Sequence, residues 1–161
     1  MQHLVPNSQP TTVANRVLST SVSAMSDERI DALTVALLWL ALVVGMVLHF
    51  TYDLSGLRYG VNIELPSADG RVPWSNFTIK ALFYVLPFLL AVAATRPAGA
   101  GYRRVNFVFS TLFLLANLFH VVGTALRATD VIGYSQVLLL LAVLVANAQL
   151  CRTSYRWWRL R

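Results

Sequence analysis

Four long runs of apolar residues dominate the chain, and polar segments or segments with Gly and Pro separate them. The runs lie at about residues 30–51, 77–94, 105–126 and 132–150. Each is close to the ~20 apolar residues that a helix needs to cross a hydrocarbon core. Because a backbone in lipid must satisfy its own hydrogen bonds, the runs predict transmembrane helices. The expected fold is all-α, an integral membrane four-helix transmembrane bundle with a short irregular outer loop.

The membrane domain is predicted to span residues 29–151. The segments on either side of it are short. Residues 1–28 are rich in Ser, Thr and Val and show no apolar periodicity. They are expected to form a disordered tail or to include an over-long translated start. Residues 152–161 form a basic, aromatic tail that is predicted to be cytoplasmic. In this tail Trp157 and Trp158 are expected to anchor the chain at the membrane interface.

Composition and charge support a membrane protein and exclude several other classes. Of the 161 residues, 57% are hydrophobic and 12% are charged, whereas soluble domains carry about 25% charged residues. The net charge of +6 comes almost entirely from arginine. These arginines lie at the ends of the apolar runs, so anionic lipid headgroups are the expected partners and nucleic acid is not. Cys151 is the single cysteine, which excludes an internal disulfide and a Cys-pair metal site.

The basic residues divide unequally between the two sides of the predicted bundle. One side carries nine of them: Arg16, Arg29, Arg96, Arg103, Arg104, Arg152, Arg156, Arg159 and Arg161. The other side carries four: Arg58, Arg71, Lys80 and Arg127. Because the side richer in Lys and Arg stays in the cytoplasm, both termini are predicted to be cytoplasmic and the loop at residues 52–76 to face outward. The expected location is a bacterial inner membrane.

Polar side chains inside the apolar runs carry the chemical information, because ionisable and amide groups are expensive in a membrane and are often functional. In the third run they recur at helical spacing, which places them on one stripe. The stripe consists of Asn106, Ser110, Asn117, His120 and Thr124. Each of the other runs also has one polar seam, and the expected packing turns all four seams inward.

Depth along the helices decides which of these polar residues can meet. With a rise of about 1.5 Å per residue from the basic flanks, His49 and His120 lie at similar depths near the outer surface. We therefore expect a ligand-binding cluster in the outer leaflet. Its members are His49, Asp53, Lys80, Tyr84, Asn117, His120 and Gln136. Asn106 and Asn147 belong to the inner half and are expected to pair with each other.

Two interpretations of the outer cluster stay open. Polar side chains often join membrane helices through hydrogen bonds worth ~0.6–2 kcal/mol each, with no ligand involved. Alternatively, His49 and His120 could ligate one b-type haem, or a transition metal with Asp53 as a third ligand. A quinone or lipid pocket lined by Phe83, Tyr84, Phe113 and His120 would need no metal. No spacing motif in the sequence supports any one of these ligands.

The function predicted from the sequence is a non-enzymatic one. The chain is expected to bind a ligand, or to act as an accessory or assembly subunit within the lipid bilayer. Its partners would be another membrane protein or further copies of the same chain. The alternatives are a haem- or metal-binding redox subunit that uses His49 and His120, and a small transporter formed by oligomerisation.

Overall fold

The computed structural model describes residues 11–62 and 69–160, and within them it leaves aside the side chains of residues 11–26 and of Asp53. The described residues form four long helices and contain no β-strand. The helices are α1 (Thr11–Ser55), α2 (Trp74–Ala94), α3 (Ala100–Ala125) and α4 (Val131–Arg159). The all-α four-helix bundle expected from the apolar runs is confirmed.

Two of the helices are longer than the apolar runs that predict them. Helix α1 begins at Thr11, so the backbone of residues 11–28, expected to be disordered, is helical, while residues 1–10 lie outside the described residues. Helix α4 continues to Arg159 and includes most of the expected tail. No proline interrupts either stretch, so the helical hydrogen bonds can continue past the apolar core.

The extension of α4 changes the role of the two tryptophans at its end. Trp157 is only 1% exposed, and its ring packs edge-on against Tyr102 with 5.9 Å between centroids. Trp158 stacks on Phe107, with the two rings inclined by 14°. Trp157 therefore belongs to the packed interior and is not the interfacial anchor that was predicted. The reason is that α4 continues as a helix to Arg159, which keeps Trp157 in contact with α3.

The outer surface of the bundle is that of an integral membrane protein. All four helices are long and apolar enough to cross a membrane. Their outward faces carry large apolar side chains, whose exposure is unfavourable in water and favourable in lipid. Examples with half or more of their surface exposed are Leu37, Leu89, Phe119, Leu138 and Val145.

The helices pack in a fixed order around the bundle. Helix α1 packs against both α2 and α4, and α4 packs against α3. Helices α1 and α3 are therefore diagonal neighbours, and long side chains bridge the distance between them. Trp39 of α1 meets Phe113 of α3 edge to face, with 5.2 Å between ring centroids. Helices α1 and α4 approach closely at Gly45, because a Cβ there would stand 2.3 Å from Cγ2 of Val143.

Two ion pairs join the helices at one end of the bundle, which we call the terminal end. Arg103 Nη1 lies 3.2 Å from Glu28 Oε1, which ties α3 to α1. Arg156 Nε donates to both carboxylate oxygens of Asp31 at 3.0 Å, which ties α4 to α1. The opposite end, which we call the loop end, holds a short 3₁₀ turn at Gly56–Tyr59 and the connection between α3 and α4.

Helix α2 contains one wide turn in its middle. Its first part is Trp74–Lys80, its last part is Leu86–Ala94, and the segment Ala81–Val85 between them is π-helical. In this turn the Leu86 N–H donates to the Ala81 carbonyl, five residues earlier. The cause is Pro87, which has no N–H to donate and whose ring collides with the carbonyl four residues before it in a regular α-helix. The wider turn gives that carbonyl room.

Candidate functional site

Polar side chains meet at three successive levels inside the bundle. Nearest the terminal end, Trp39 Nε1 donates to Asn106 Oδ1 at 2.7 Å. In the middle, Asn117 Nδ2 donates to Asn147 Oδ1 at 2.7 Å, and Asn147 Nδ2 donates to the Ser110 carbonyl at 3.0 Å. Asn106 and Asn147, which were expected to pair with each other, thus have different partners at different depths.

The third level, nearest the loop end, is a pair of histidines. His49 of α1 and His120 of α3 face each other diagonally across the bundle, with 3.1 Å between their Nε2 atoms. The rings are nearly perpendicular, at 87°, with 5.0 Å between centroids. At this distance one imidazole donates its Nε2 proton and the other accepts it. Both side chains are half-buried, so the pair lies between the core and the open end of the bundle.

A small cavity of about 220 Å³ lies against the histidine pair, and we call it the histidine cavity. Its lining residues are His49, His120, Thr124, Arg127, Ala128, Gly133 and Gln136. Pockets for drug-sized molecules usually measure about 300–1,000 Å³. The histidine cavity is below that range, so it suits an ion or a ligand of a few atoms.

The tight connection between α3 and α4 forms the wall of this cavity. Arg127 Nε donates to the Gly123 carbonyl at 2.8 Å, which holds the guanidinium beside the cavity. Asp130 caps α4 by accepting from the Gly133 N–H at 2.7 Å. A Cβ at Gly133 would lie only 3.0 Å from the Ala128 Cα. The turn therefore closes as tightly as it does because residue 133 is glycine.

A second, larger cavity of about 510 Å³ lies between α1 and α2, and we call it the lipid-side crevice. Its lining residues are Val47, Phe50, Phe77, Lys80, Ala81, Tyr84 and Val85. The Lys80 ammonium lies 5.6 Å from the centre of the Phe50 ring. Tyr84 reaches across the crevice, and its hydroxyl donates a long hydrogen bond of 3.5 Å to the Met46 carbonyl.

The structure divides the seven expected ligand-binding residues among several places. His49, His120 and Gln136 line the histidine cavity. Lys80 and Tyr84 line the lipid-side crevice instead. Of the remaining two, Asn117 belongs to the amide network in the middle of the bundle, and the side chain of Asp53 lies outside the described residues.

Arg127 and Gly133 also line the histidine cavity, and neither was predicted to belong to the site. The signal for Arg127 was present, because it follows Thr124 by three residues and continues the polar stripe of α3. It was instead counted only as an outer basic residue. Gly133 had no such signal, since its role depends on how closely the two helices meet at the turn.

The spacing of the two imidazoles decides which metal geometries fit. Two nitrogens on one tetrahedral ion lie about 3.3–3.4 Å apart when each bond measures ~2.0–2.1 Å, close to the 3.1 Å between His49 and His120. The axial nitrogens of a haem iron lie on opposite faces of the ring, about 4 Å apart by the same bond length. The pair as arranged has no room for a macrocycle, so it does not fit haem.

The described side chains contain no group of three or more His, Cys, Asp or Glu that could hold a metal ion. Beyond the two imidazoles, the side-chain oxygen donors among the lining residues are those of Thr124 and Gln136. A bound ion would therefore keep positions for water or an exogenous anion, as ions with few protein ligands do.

No protein-family model matches the chain, and no curated protein or solved structure matches it either.

Proposed function

We propose that the chain is a non-enzymatic membrane protein that binds one transition-metal ion in the histidine cavity. The observation that carries the proposal is the 3.1 Å spacing of the His49 and His120 Nε2 atoms beside a cavity of about 220 Å³. A bound ion would replace the hydrogen bond between the two Nε2 atoms, and each neutral ring would then carry its proton on Nδ1. The spacing suits two ligands of a tetrahedral ion, and imidazole nitrogen suits zinc, copper and nickel. The size of the cavity excludes most organic ligands.

Arg127 lines the same cavity, and its positive charge affects which further ligand a bound metal ion would have. A guanidinium beside a cation is repulsive, so the bound ion is expected to carry an anion as a further ligand. Arg127 would favour a chloride or hydroxide as that further ligand, because a guanidinium stabilises a nearby anion. Gln136, which is buried in the same wall, would offer an amide oxygen as a further ligand.

Metal binding can be measured on the full chain, purified in mild detergent without a histidine tag. We expect one Co²⁺ or Zn²⁺ per chain, with the visible absorption of tetrahedral Co²⁺. His49→Gln and His120→Gln should each weaken binding by at least roughly 100-fold, because even second-shell changes cost 10–100-fold. Tyr84→Phe, which alters only the lipid-side crevice, serves as the matched control and should bind normally.

Three outcomes would contradict the metal proposal. Substoichiometric binding, or binding that neither histidine substitution changes, would show that the pair only joins α1 to α3. A Soret band in the purified protein would show that the helices separate enough to admit haem.

We propose further that the protein lies in a bacterial inner membrane with the terminal end in the cytoplasm. The nine-to-four distribution of basic residues supports this orientation. The two ion pairs from α1, to Arg103 and to Arg156, support it too, because they gather the basic ends of three helices on one side. The histidine cavity then opens toward the outside of the cell.

Fusions at the C-terminus test this orientation. We expect green fluorescent protein fused after Arg161 to fluoresce and alkaline phosphatase at the same position to be inactive, because the first folds in the cytoplasm and the second outside it. Fusions placed within the 69–73 segment should give the opposite pair of results. Active phosphatase at the C-terminus would invert the topology and put the histidine cavity on the cytoplasmic side.

A further inference from the structure

The lipid-side crevice has the size and lining of a binding site for an apolar chain. Its volume of about 510 Å³ falls inside the range of ligand sites, about 300–1,000 Å³. Apart from the Lys80 ammonium and the Tyr84 hydroxyl, its lining side chains are apolar. A ligand that fills it must therefore be largely hydrocarbon and can have one polar or charged end.

The crevice opens away from the bundle, toward the surrounding lipid. Phe50 of α1 is 46% exposed, and Phe77 and Val85 of α2 are 63% and 52% exposed. These side chains form the two walls, and no other helix covers them among the described residues. An occupant can thus enter from the membrane without any movement of the core.

The π-helical turn explains why a crevice forms here. Regular helices packed along their length leave only shallow grooves between their side chains. In α2 the wide turn at Ala81–Val85 changes the direction of the side chains before Pro87 relative to those after it. The small side chain of Ala81 then leaves space at the floor of the crevice. π-helical turns of this kind are frequent at functional sites.

Lys80 gives the crevice a single positive charge at a defined depth. It lies six residues after Trp74, or about 9 Å along the helix at ~1.5 Å per residue. Trp74 is 83% exposed, and an exposed tryptophan at the start of a span is typical of headgroup depth. The Lys80 ammonium therefore lies where the acyl region begins, within reach of the headgroups by extension of its side chain.

No carboxylate among the described residues forms an ion pair with Lys80, since the two ion pairs found there involve other residues. A charge near the hydrocarbon region is costly unless a counter-charge compensates it. The Phe50 ring, 5.6 Å away, supplies a weak cation–π contact and does not neutralise it. An anionic lipid headgroup at the membrane surface would supply such a counter-charge.

We propose that the lipid-side crevice is a binding site for an anionic phospholipid. One acyl chain lies in the crevice between α1 and α2, and the phosphate of the headgroup pairs with Lys80. The apolar lining, the opening to lipid and the lone charge at headgroup depth are each what such a ligand requires. The site is separate from the histidine cavity and does not depend on metal binding.

The test uses the full chain in nanodiscs of phosphatidylcholine that contain a small fraction of phosphatidylglycerol with a photoreactive group in its acyl chain. We expect saturable cross-links on the α2 peptide that contains Ala81–Val85. Excess phosphatidylglycerol should remove them about fivefold more effectively than excess phosphatidylcholine, the ratio that one lysine at an anionic surface provides.

Two substitutions separate the charge from the shape of the crevice. Lys80→Gln should remove the preference for the anionic lipid and leave the cross-link position unchanged, while Lys80→Arg should keep the preference. Ala81→Phe should fill the floor and abolish the cross-links. Leu89→Phe adds bulk on the lipid-facing side of the same helix outside the crevice and should have no effect.

Two outcomes of the cross-linking experiment would overturn the proposal. Cross-links spread evenly over all lipid-facing helices, without saturation, would show ordinary annular lipid. An unchanged anionic preference in Lys80→Gln would show that another basic residue recruits the headgroup. Lys80→Gln removes one surface charge and leaves the core intact, so the test stands even if Ala81→Phe does not fold.

Discussion

Replacing Gly45 by alanine is expected to lower the free energy of unfolding of the bundle by about 1–3 kcal/mol, the usual cost of overpacking. The new Cβ would stand 2.3 Å from Cγ2 of Val143. Val143 is 4% exposed and is β-branched, so it cannot rotate away. Alanine is the better helix former by up to ~1 kcal/mol, hence any net loss of stability must come from the contact between α1 and α4.

Thermal or denaturant unfolding in mild detergent measures this effect, and the chain offers a matched control. A Cβ at Gly123 would meet only the end of the Arg127 side chain, at 3.5 Å, so Gly123→Ala should be neutral or slightly stabilising. Adding Val143→Ala to Gly45→Ala should recover stability relative to the sum of the two single changes. Additive losses would contradict the close contact of α1 with α4.

The second large effect is expected at the terminal end, where Arg156→Ala should destabilise the protein by about 1–3 kcal/mol. The Asp31 side chain is 5% exposed and that of Arg156 is 63% exposed. Removing the arginine leaves a buried carboxylate without its partner, which is the costly way to break such a pair. Removing the carboxylate leaves only an exposed cation, so Asp31→Asn should cost less.

Unfolding of the two single variants and of the double variant tests this asymmetry. In the Asp31→Asn background, Arg156→Ala should cost much less than it does alone, because no buried charge remains. Arg159→Ala removes an equally basic and also exposed side chain of the same helical turn that forms no ion pair with the described carboxylates, and it should change stability by less than about 0.5 kcal/mol. Equal costs for Arg156→Ala and Arg159→Ala would mean that the Asp31 pair contributes nothing specific.

The sequence was sufficient for the helices and for the inward face of α3. Run lengths near 20 residues indicate membrane helices regardless of which side chains fill them. The polar stripe of α3 faces the interior, as shown by the burial of Asn106 and Asn117 and the partial burial of His120. The reason is that polar side chains in an apolar helix find hydrogen-bond partners in the bundle and none in lipid. The helix ends were less predictable, since polar turns continue a helix wherever no proline or glycine stops them.

Two parts of the site could not be derived from periodicity. Lys80 and Tyr84 lie four residues apart and both line the lipid-side crevice, but periodicity gives no sign of the π-helical turn at Ala81–Val85. The sequence shows Pro87 but not how the backbone accommodates it. Asn147 meets Asn117 and not Asn106, because relative depth depends on tilt and on where each helix begins, and single-helix patterns contain neither.

The amide network in the middle of the bundle also determines how α3 and α4 align lengthwise. The apolar part of the buried faces, which includes Val121 of α3 and Leu140 and Val143 of α4, is not directional and would tolerate a slip of one turn, about 5.4 Å. A slip would separate Asn147 from Asn117 and from the Ser110 carbonyl. Both side-chain amides would then be buried without hydrogen-bond partners. One polar contact can therefore select a single register, as a buried asparagine does in coiled coils, and with it the height at which His120 meets His49.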